Sequence, residues 1–149
     1  MVVLMQDEYV RKVKKELTRY RYAKKFVKYA ENQIGQLEAI KYGRRIAKYG
    51  LSAGGKSGGE DDRIVKINME IEELRESRLY NLNIVEKVEY AFVGLSFKEK
   101  DITLKVHGYN KKGSKVKDLS KKYHYSRNQI YRIAKDGLKH ISLKLYGTC

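Results

Sequence analysis

Proline is absent from all 149 residues of the chain, so no segment carries the strongest helix breaker. Apolar residues recur at intervals of three and four through most of the sequence, which is the spacing of one face of a helix. Helical periodicity that runs unbroken over many turns is typical of long amphipathic helices. The sequence therefore predicts an all-α fold.

Residues 50 to 59, GLSAGGKSGG, separate the first two helical segments. Five glycines and two serines in ten positions lose much backbone entropy on ordering, so we interpret the stretch as a flexible linker. A glycine-rich phosphate-binding loop is the alternative interpretation, but such a loop follows an apolar strand and no apolar strand precedes this stretch.

The first predicted helix runs from about residue 7 to residue 48. Gly35 and Gly43 lower its helix propensity and predict a bend or an early end. Its apolar stripe comprises Val10, Val13, Leu17, Tyr20, Val27, Ile34 and Leu37, widened by Phe26, Ala30 and Ile40.

The second predicted helix follows the linker and ends near residue 92, with Arg78 and Asn81 interrupting its apolar seam. Two helices joined by a short linker fold back as an antiparallel hairpin or pair between subunits as a coiled coil. In either arrangement we expect the basic first helix to face the acidic second helix. The seam comprises Ile64, Ile67, Ile71, Leu74, Leu82, Val85, Val88 and Phe92.

The net charge of +15 predicts a polyanionic partner, and nucleic acid is the leading candidate. Residues 1–50 carry 13 basic and 5 acidic side chains, residues 51–95 carry 6 and 9, and residues 96–149 carry 14 and 4. The net charges of the three segments are therefore +8, −3 and +10. The two ends of the chain, and not its middle, are candidate surfaces for a polyanion.

Several classes of function are not expected. Cys149 is the only cysteine, and the three histidines have no thiol at metal-site spacing, so we expect neither a disulfide nor a metal or other cofactor. No nucleophile, base and orienting group occur together, so we expect no enzyme. No long apolar run or signal-peptide pattern occurs, which predicts an intracellular protein of the cytoplasm with no membrane partner.

A compact helical module is predicted after residue 94. Ser96 and Glu99 form a capping-box pattern that predicts a helix from Phe97 to about His107. Residues 108 to 114 read as a loop, and a short helix follows up to Tyr123. The apolar members of these two helices are Phe97, Ile102, Leu104, Val106, Val116 and Leu119.

The last helix begins after YHY, where Ser126 can accept a hydrogen bond from the backbone N–H of Gln129. A short helix, a turn of about four residues and a capped basic helix match the helix-turn-helix design, in which the second helix enters the major groove of DNA. The apolar stripe of this helix comprises Ile130, Ile133, Ala134, Leu138 and Ile141.

The opposite face of the last helix carries side chains that suit base recognition. Arginine can bind guanine in a bidentate manner, and asparagine or glutamine can do the same for adenine. Nearby lysines can bind phosphates and add affinity without sequence information. The candidate DNA-binding residues are Lys115, Lys117, Lys121, Lys122, Ser126, Arg127, Asn128, Gln129, Tyr131, Arg132 and Lys135.

Residues 96 to 142, with SFKEKDI, VKDLSKKY and YSRNQIYRIAKDGLKHI in this order, resemble region 4 of bacterial sigma factors. The preceding arrangement of long helix, Gly/Ser linker and long helix resembles the phage-encoded ArpU/RinA group of late-gene transcriptional regulators. The resemblance implies a DNA-binding activator of phage late genes, located at the bacterial nucleoid, that also contacts RNA polymerase.

We therefore expect residues 1–93 to form a long helical hairpin that oligomerises and residues 94–149 to form a DNA-binding module. A homodimer or a higher homo-oligomer is expected, because a second recognition helix on a second half-site multiplies affinity. Two other functions stay open. One is a phage terminase small subunit that binds packaging-site DNA as a ring, and the other is a non-specific polyanion binder.

Overall fold

The structure is a computed structural model, in which the chain folds into helices. It describes residues 5–50, 58–109 and 114–149, and the surroundings of side chains in 5–44, 62–109 and 115–149. No strand occurs in these ranges, and the predicted all-α fold is confirmed. The helices are α1 (Asp7–Gly50), α2 (Gly58–Phe92), α3 (Phe97–His107), α4 (Ser114–Tyr123) and α5 (Arg127–Tyr146).

The helix bounds agree closely with those predicted. The first helix continues through Gly35 and Gly43, so the early end that these glycines predicted is wrong. The third helix has the predicted bounds, and Ser96 and Glu99 form both hydrogen bonds of the predicted capping box. Residues 51–57 of the predicted linker and residues 110–113 of the predicted loop lie outside the described residues. The ends of the predicted linker are wrong, because Gly50 is the last residue of α1 and Gly58 and Gly59 begin α2.

The chain divides into two compact units, and both long helices contribute to each. The hairpin unit is Lys24–Asn83. The helix-turn-helix unit comprises the chain up to Ala23 and from Ile84 onward, and thus contains the ends of α1 and α2 together with α3, α4 and α5. That residues 94–149 form a module by themselves stays a prediction.

Within the hairpin unit the two helices are antiparallel. Arg78 forms an ion pair with Glu31 at 2.9 Å, and Arg75 forms one with Glu38 at 3.2 Å, so positions rise along α1 as they fall along α2. Both arginines lie on α2 and both carboxylates on α1, which is the reverse of the expected charge pairing. The expectation used the overall charge of each helix, but only the few side chains at the seam between the helices form ion pairs with each other.

Side chains of the hairpin unit are mostly accessible. Among its described hydrophobic side chains, Ala30 and Ile71 are buried. Ile40 was expected to widen the buried stripe but is 47% exposed, so this expectation is wrong. Two helices alone cover only a narrow strip of each other, and a residue at the edge of the stripe stays in contact with water.

In the helix-turn-helix unit the ends of the same two helices are well covered. Tyr20 is almost fully buried, packs edge-on against Phe92 with 5.4 Å between ring centroids, and donates a hydrogen bond of 3.1 Å to Glu89. Burial and the nearby Glu89 carboxylate raise the pKa of the Tyr20 hydroxyl. The other buried side chains of these helix ends are Val13, Leu17, Ala23, Val85, Val88 and Ala91.

One prediction for α3 is wrong. Phe97 was assigned to the apolar face but is 73% exposed, whereas Ile102 and Thr103 are fully buried. Phe97 and Ile102 are five positions apart, which places their side chains about 140° apart around a helix of 3.6 residues per turn. The two side chains therefore lie on different sides of α3.

None of the described helices is both long enough and apolar enough to cross a lipid bilayer.

Candidate nucleic-acid interface

The turn between α4 and α5 has a defined geometry. Three residues connect Tyr123 to Arg127, and the first of them, His124, has a left-handed φ of 57°. The backbone N–H of Tyr125 donates to the carbonyl of Ser120 at 3.2 Å, as in the Schellman motif that ends many helices. The Ser120 hydroxyl also donates to the carbonyl of Tyr125. Both hydrogen bonds hold the connection in a tight turn.

The tyrosines on either side of His124 fix the turn to the body of the unit. Tyr123 and Tyr125 stack with 6.4 Å between ring centroids, and both pack against the buried cluster. The Lys98 ammonium group lies 5.9 Å from each ring centroid. The aromatic residues of the YHY stretch therefore hold the turn in place, and the exposed side chain between them is His124.

The start of α5 is capped from both directions. The side chain of Ser126 accepts a hydrogen bond of 3.2 Å from the backbone N–H of Gln129, which confirms the predicted cap. The Gln129 side-chain oxygen in turn accepts a hydrogen bond of 2.9 Å from the backbone N–H of Ser126. Ser126 and Gln129 form the S-x-x-Q pattern of a capping box, which predicts this second hydrogen bond. The sequence analysis did not identify it. Gln129 thus has a structural role, and a bidentate contact to adenine would have to share or break this bond.

A small apolar core sets the angle between α4 and α5. The predicted buried residues of both helices are confirmed, with Ile133 only half-buried. Because these side chains come from three helices, α5 is held along its length as well as at its turn. The core cluster comprises Ile102, Val116, Leu119, Ile130 and Ala134.

The helices α3 and α5 approach each other closely at a glycine. A Cβ placed on Gly137 would lie 1.9 Å from the Oγ1 atom of Thr103. The Thr103 hydroxyl is buried and donates a hydrogen bond of 2.7 Å to the carbonyl of Glu99. Only a residue without a side chain fits at this crossing. The sequence reading did not identify this role, because the glycine and the threonine are 34 positions apart.

A carboxylate joins α3 to the end of α4. Asp101 accepts a hydrogen bond from the Tyr123 hydroxyl and forms ion pairs with Lys122 at 3.1 Å and Lys105 at 3.2 Å. Burial alone would raise the pKa of the Asp101 carboxyl, but these hydrogen bonds outweigh burial and hold the pKa below its ordinary value. Asp101 thus stabilises the position of α4 as a charged group.

The far end of α5 is fixed by its contact with the α2–α3 connection. The ring Nε2 of His140 lies 2.7 Å from the carbonyl oxygen of Val93 and donates to it, since a carbonyl only accepts. Gly94 has a φ of +99°, and a Cβ there would lie 2.9 Å from the His140 ring. The connection therefore needs glycine at this position both for its backbone conformation and for space.

The predicted base-reading residues all face water. None of Arg127, Arg132 and Lys135 has an ion-pair partner among the described residues. Their charges are thus available to a ligand, on a helix whose buried side is fixed by the core. The exposed side chains on this face are Arg127, Asn128, Gln129, Tyr131, Arg132 and Lys135, with Ser126 at the cap.

The four predicted phosphate-binding lysines fall into two pairs. Lys117 and Lys121 are exposed and have no ion-pair partner in the described part of the chain. Lys122 is engaged by Asp101, and the hydrogen bond between them raises the pKa of the Lys122 ammonium. Lys115 lies 4.9 Å from the centroid of the Tyr109 ring. Lys117 and Lys121 are therefore the stronger candidates for phosphate contacts.

The glycine-rich stretch also satisfies a motif that the sequence reading set aside. Residues 50–57, GLSAGGKS, have the P-loop spacing G-x-x-x-x-G-K-S. A P-loop follows a strand, however, and here Gly50 is the last residue of a 44-residue helix. The required structural context is missing, so the motif supports no nucleotide site. In the described ranges no group of three or more His, Cys, Asp or Glu side chains could hold a metal ion.

No protein-family model matches the chain, no curated protein matches its sequence, and no solved structure matches its fold. The interpretation of the interface therefore rests on its geometry and its chemistry.

Proposed function

We propose that the protein binds double-stranded DNA in a sequence-specific manner and regulates transcription, with α5 as the recognition helix. One observation carries the proposal. The first turns of α5 expose arginine, asparagine and lysine side chains. The position of the helix is fixed by its N-terminal cap, by the turn with a left-handed φ at His124 and by the core cluster on its buried side. This is the arrangement by which helix-turn-helix proteins present a helix to the major groove.

The chemistry of the exposed face supports base recognition. Arg127 and Asn128 occupy the first two positions of α5, and Arg132 follows one turn later on an accessible side. An arginine can bind guanine O6 and N7, an asparagine can bind adenine N6 and N7, and each such pair contributes about 1–3 kcal/mol of discrimination. Gln129 is a weaker candidate, because its side-chain oxygen already accepts the Ser126 N–H.

Charge supports the same partner. The segment from residue 96 to residue 149 carries +10, and Lys117 and Lys121 are exposed on α4 beside the recognition helix. Phosphate contacts from such lysines add affinity for any DNA sequence and make binding depend on salt. The narrower parts of the proposal are an activator of phage late genes, a cytoplasmic location at the nucleoid and contact with RNA polymerase. They are supported by the resemblance to sigma factor region 4 and to the ArpU/RinA group.

Selection of duplex DNA from a random library at near-physiological salt tests base recognition. We expect the protein to enrich one motif, and we expect Arg127→Ala/Asn128→Ala to lose affinity for it by about tenfold or more, since two bidentate pairs are removed. Lys66→Ala, an exposed lysine of the hairpin unit, is the control and should select the same motif. If the protein enriches no motif, α5 does not read bases, and a polymerase adaptor or a charge-driven binder becomes the better proposal.

The contribution of Gln129 needs a variant that preserves the cap. Gln129→Ala would remove the hydrogen bond to Ser126 and destabilise α5 by about 1 kcal/mol, whatever its role in binding. Gln129→Glu keeps an oxygen acceptor at this position and removes the amide donor. Unchanged thermal stability with an altered base preference would identify a base contact, and an unchanged motif would assign Gln129 to the cap alone.

The spacing of half-sites in the selected motif reports the assembly. Two half-sites separated by about 10 base pairs, together with a dimer in mass photometry, are expected from two recognition helices in successive major grooves. A ring of subunits would favour the alternative function, recognition of packaging-site DNA by a terminase small subunit.

A further inference from the structure

The first turns of α1 lie beside the exposed face of the recognition helix. Asp7 and Val10 of α1 line a groove of about 500 Å³ together with Tyr131 and Lys135 of α5, and His107 contributes to its wall. Two of the candidate DNA-binding residues thus line the same groove as the first turns of α1. A DNA duplex that contacted them would also come close to the first turns of α1.

The same side of α1 leads on to the start of α4. About three to four turns further along α1, Arg21 stacks on the Tyr109 ring at 4.2 Å from its centroid, and the ammonium group of Lys115 on α4 lies 4.9 Å from the same centroid. Asp7, Lys14 and Arg21 are seven residues apart, which places them on one side of a helix. Lys14 is therefore located between the groove at α5 and the first turn of α4.

The electrostatics of His107 agree with this position of Lys14. Burial and the positive charge of Lys14 lower the pKa of the His107 imidazole to about 4. The ring Nε2 is buried and has no hydrogen-bond partner among the described residues. The ammonium group of Lys14 is thus close enough to the groove wall to disfavour a second positive charge there.

The positive charges on this part of α1 are not compensated within the described residues. Arg11 and Lys14 are exposed and have no ion-pair partner there, whereas Lys12 pairs with Glu8 at 3.0 Å. An arginine and a lysine three positions apart lie on neighbouring parts of one helix surface. They form an accessible basic patch, the α1 patch, beside the recognition helix.

We propose that the α1 patch, Arg11 and Lys14, binds the DNA phosphates at the edge of the major groove that α5 enters. The proposal rests on the function proposed above and adds a sequence-independent contact surface outside the helix-turn-helix segment. Phosphates flank a helix in the major groove on both sides, so DNA phosphates are expected beside Tyr131 and Lys135 as well as beside α4. The α1 patch supplies the positive charge on the side of Tyr131 and Lys135.

The salt dependence of DNA affinity tests the α1 patch in the full chain. Each phosphate contact contributes about −0.9 to the slope of log affinity against log salt, so Arg11→Ala/Lys14→Ala should flatten the slope by about 1.8. The affinity deficit of this variant should then be about tenfold larger at 50 mM than at 200 mM salt. The selected motif should not change, because phosphate contacts carry no sequence information.

The matched control is Lys28→Ala/Lys66→Ala, which removes the same charge from exposed sites of the hairpin unit. It should keep the slope of the unmodified protein. Arg11→Lys/Lys14→Arg should also keep the slope, and all variants should melt at the same temperature because the substituted side chains are exposed. Asp7→Asn, which removes a carboxylate from the groove, should raise affinity a few-fold.

Two outcomes overturn different statements. If Arg11→Ala/Lys14→Ala has the slope and affinity of the control while the unmodified protein still selects a motif, the α1 patch does not bind phosphates and the proposed function stands. If the unmodified protein selects no motif, sequence-specific recognition fails. The slopes measured on generic duplex then still decide whether the α1 patch contacts DNA.

Discussion

The hairpin unit and the helix-turn-helix unit use parts of the same two long helices, but they bury them to different degrees. In the hairpin unit the described buried side chains are Ala30 and Ile71, and ion pairs such as Glu31–Arg78 lie at the surface. In the helix-turn-helix unit the ends of the helices bury whole aromatic and aliphatic side chains, including Leu17 and Tyr20. The same apolar periodicity therefore has different consequences, according to how many helices are available to cover it.

The difference has an energetic side. Burial of a Val, Leu or Ile side chain contributes about 1.5–3 kcal/mol, whereas an exposed ion pair contributes less than about 1 kcal/mol. The helix-turn-helix unit is therefore expected to be the more resistant part of the fold. A rigid scaffold suits the recognition role proposed for α5, because the side chains of a recognition helix must stay in register with the base pairs.

The largest expected contrast comes from equivalent truncations in the two units. Ile130→Ala removes a fully buried side chain of the core cluster and should lower the free energy of unfolding by about 2–5 kcal/mol. Ile40→Ala removes a side chain that is half exposed in the hairpin unit and should cost less than about 1 kcal/mol. Denaturant unfolding of both variants measures the two changes. Similar losses would show that the hairpin unit is packed as tightly as the core cluster.

A second contrast predicts opposite signs for the same substitution. Gly137→Ala places a methyl group against Thr103 and should destabilise the protein by about 1–3 kcal/mol. Gly35→Ala meets no atom within 4 Å and should stabilise α1 by up to about 1 kcal/mol through helix propensity. Thermal unfolding measures both shifts. Loss of stability in both variants would indicate a close contact at Gly35 as well.

A third contrast concerns pH, since all three histidines lie in the helix-turn-helix unit. The pKa of His107 is about 4 in the folded protein and near 6.5 in the unfolded chain. Between these two pH values the imidazole binds a proton mainly in the unfolded chain. The contribution of neutral His107 to the free energy of unfolding is fully present above pH 6.5. It is lost as pH falls toward 4, and the loss amounts to about 2 kcal/mol at pH 5.

Denaturant unfolding at pH 7.5 and pH 5 measures this loss. In His107→Gln, which does not titrate, the loss attributed to His107 should disappear. If the variant loses as much stability between the two pH values as the unmodified protein, then His107 is accessible to protons in the fold.

A fourth contrast concerns ion pairs in the two units. Arg78→Gln breaks the pair with Glu31 in the hairpin unit and should cost about 0.2–1 kcal/mol, and less in high salt. Asp101→Asn weakens the contact between α3 and α4 and should cost about 1–2 kcal/mol, because the carboxylate is largely covered and has three partners. Denaturant unfolding of both variants at low and high salt measures the two losses and their salt dependence. A salt-insensitive loss in Arg78→Gln would contradict an exposed pair.

Local patterns in the sequence predicted most of the fold. The bounds of α3 and both of its capping-box hydrogen bonds follow from Ser96 and Glu99, and the cap of α5 follows from Ser126. These features depend on residues three or four positions apart, so a short stretch of sequence contains all the interacting groups. The exposed face of α5 was predicted for the same reason.

Most of the wrong predictions involve groups that are distant in sequence or at the edge of a stripe. The reversed charge pairing of Arg75 and Arg78 depends on which side chains meet across the hairpin. The exposure of Ile40 depends on whether a third helix covers it. Phe97 is a separate case, since helix geometry alone places it away from Ile102.

By itself, the sequence determined the helices, their caps and the composition of the face that α5 presents, because these depend on hydrogen bonds and periodicity within a few turns. Only the tertiary structure decided that α1 passes beside this face, with Asp7 and Val10 at one groove with Tyr131. It also decided that Gly137 lets α3 and α5 approach closely. Both depend on packing between segments far apart in the chain, for which no local pattern carries the information.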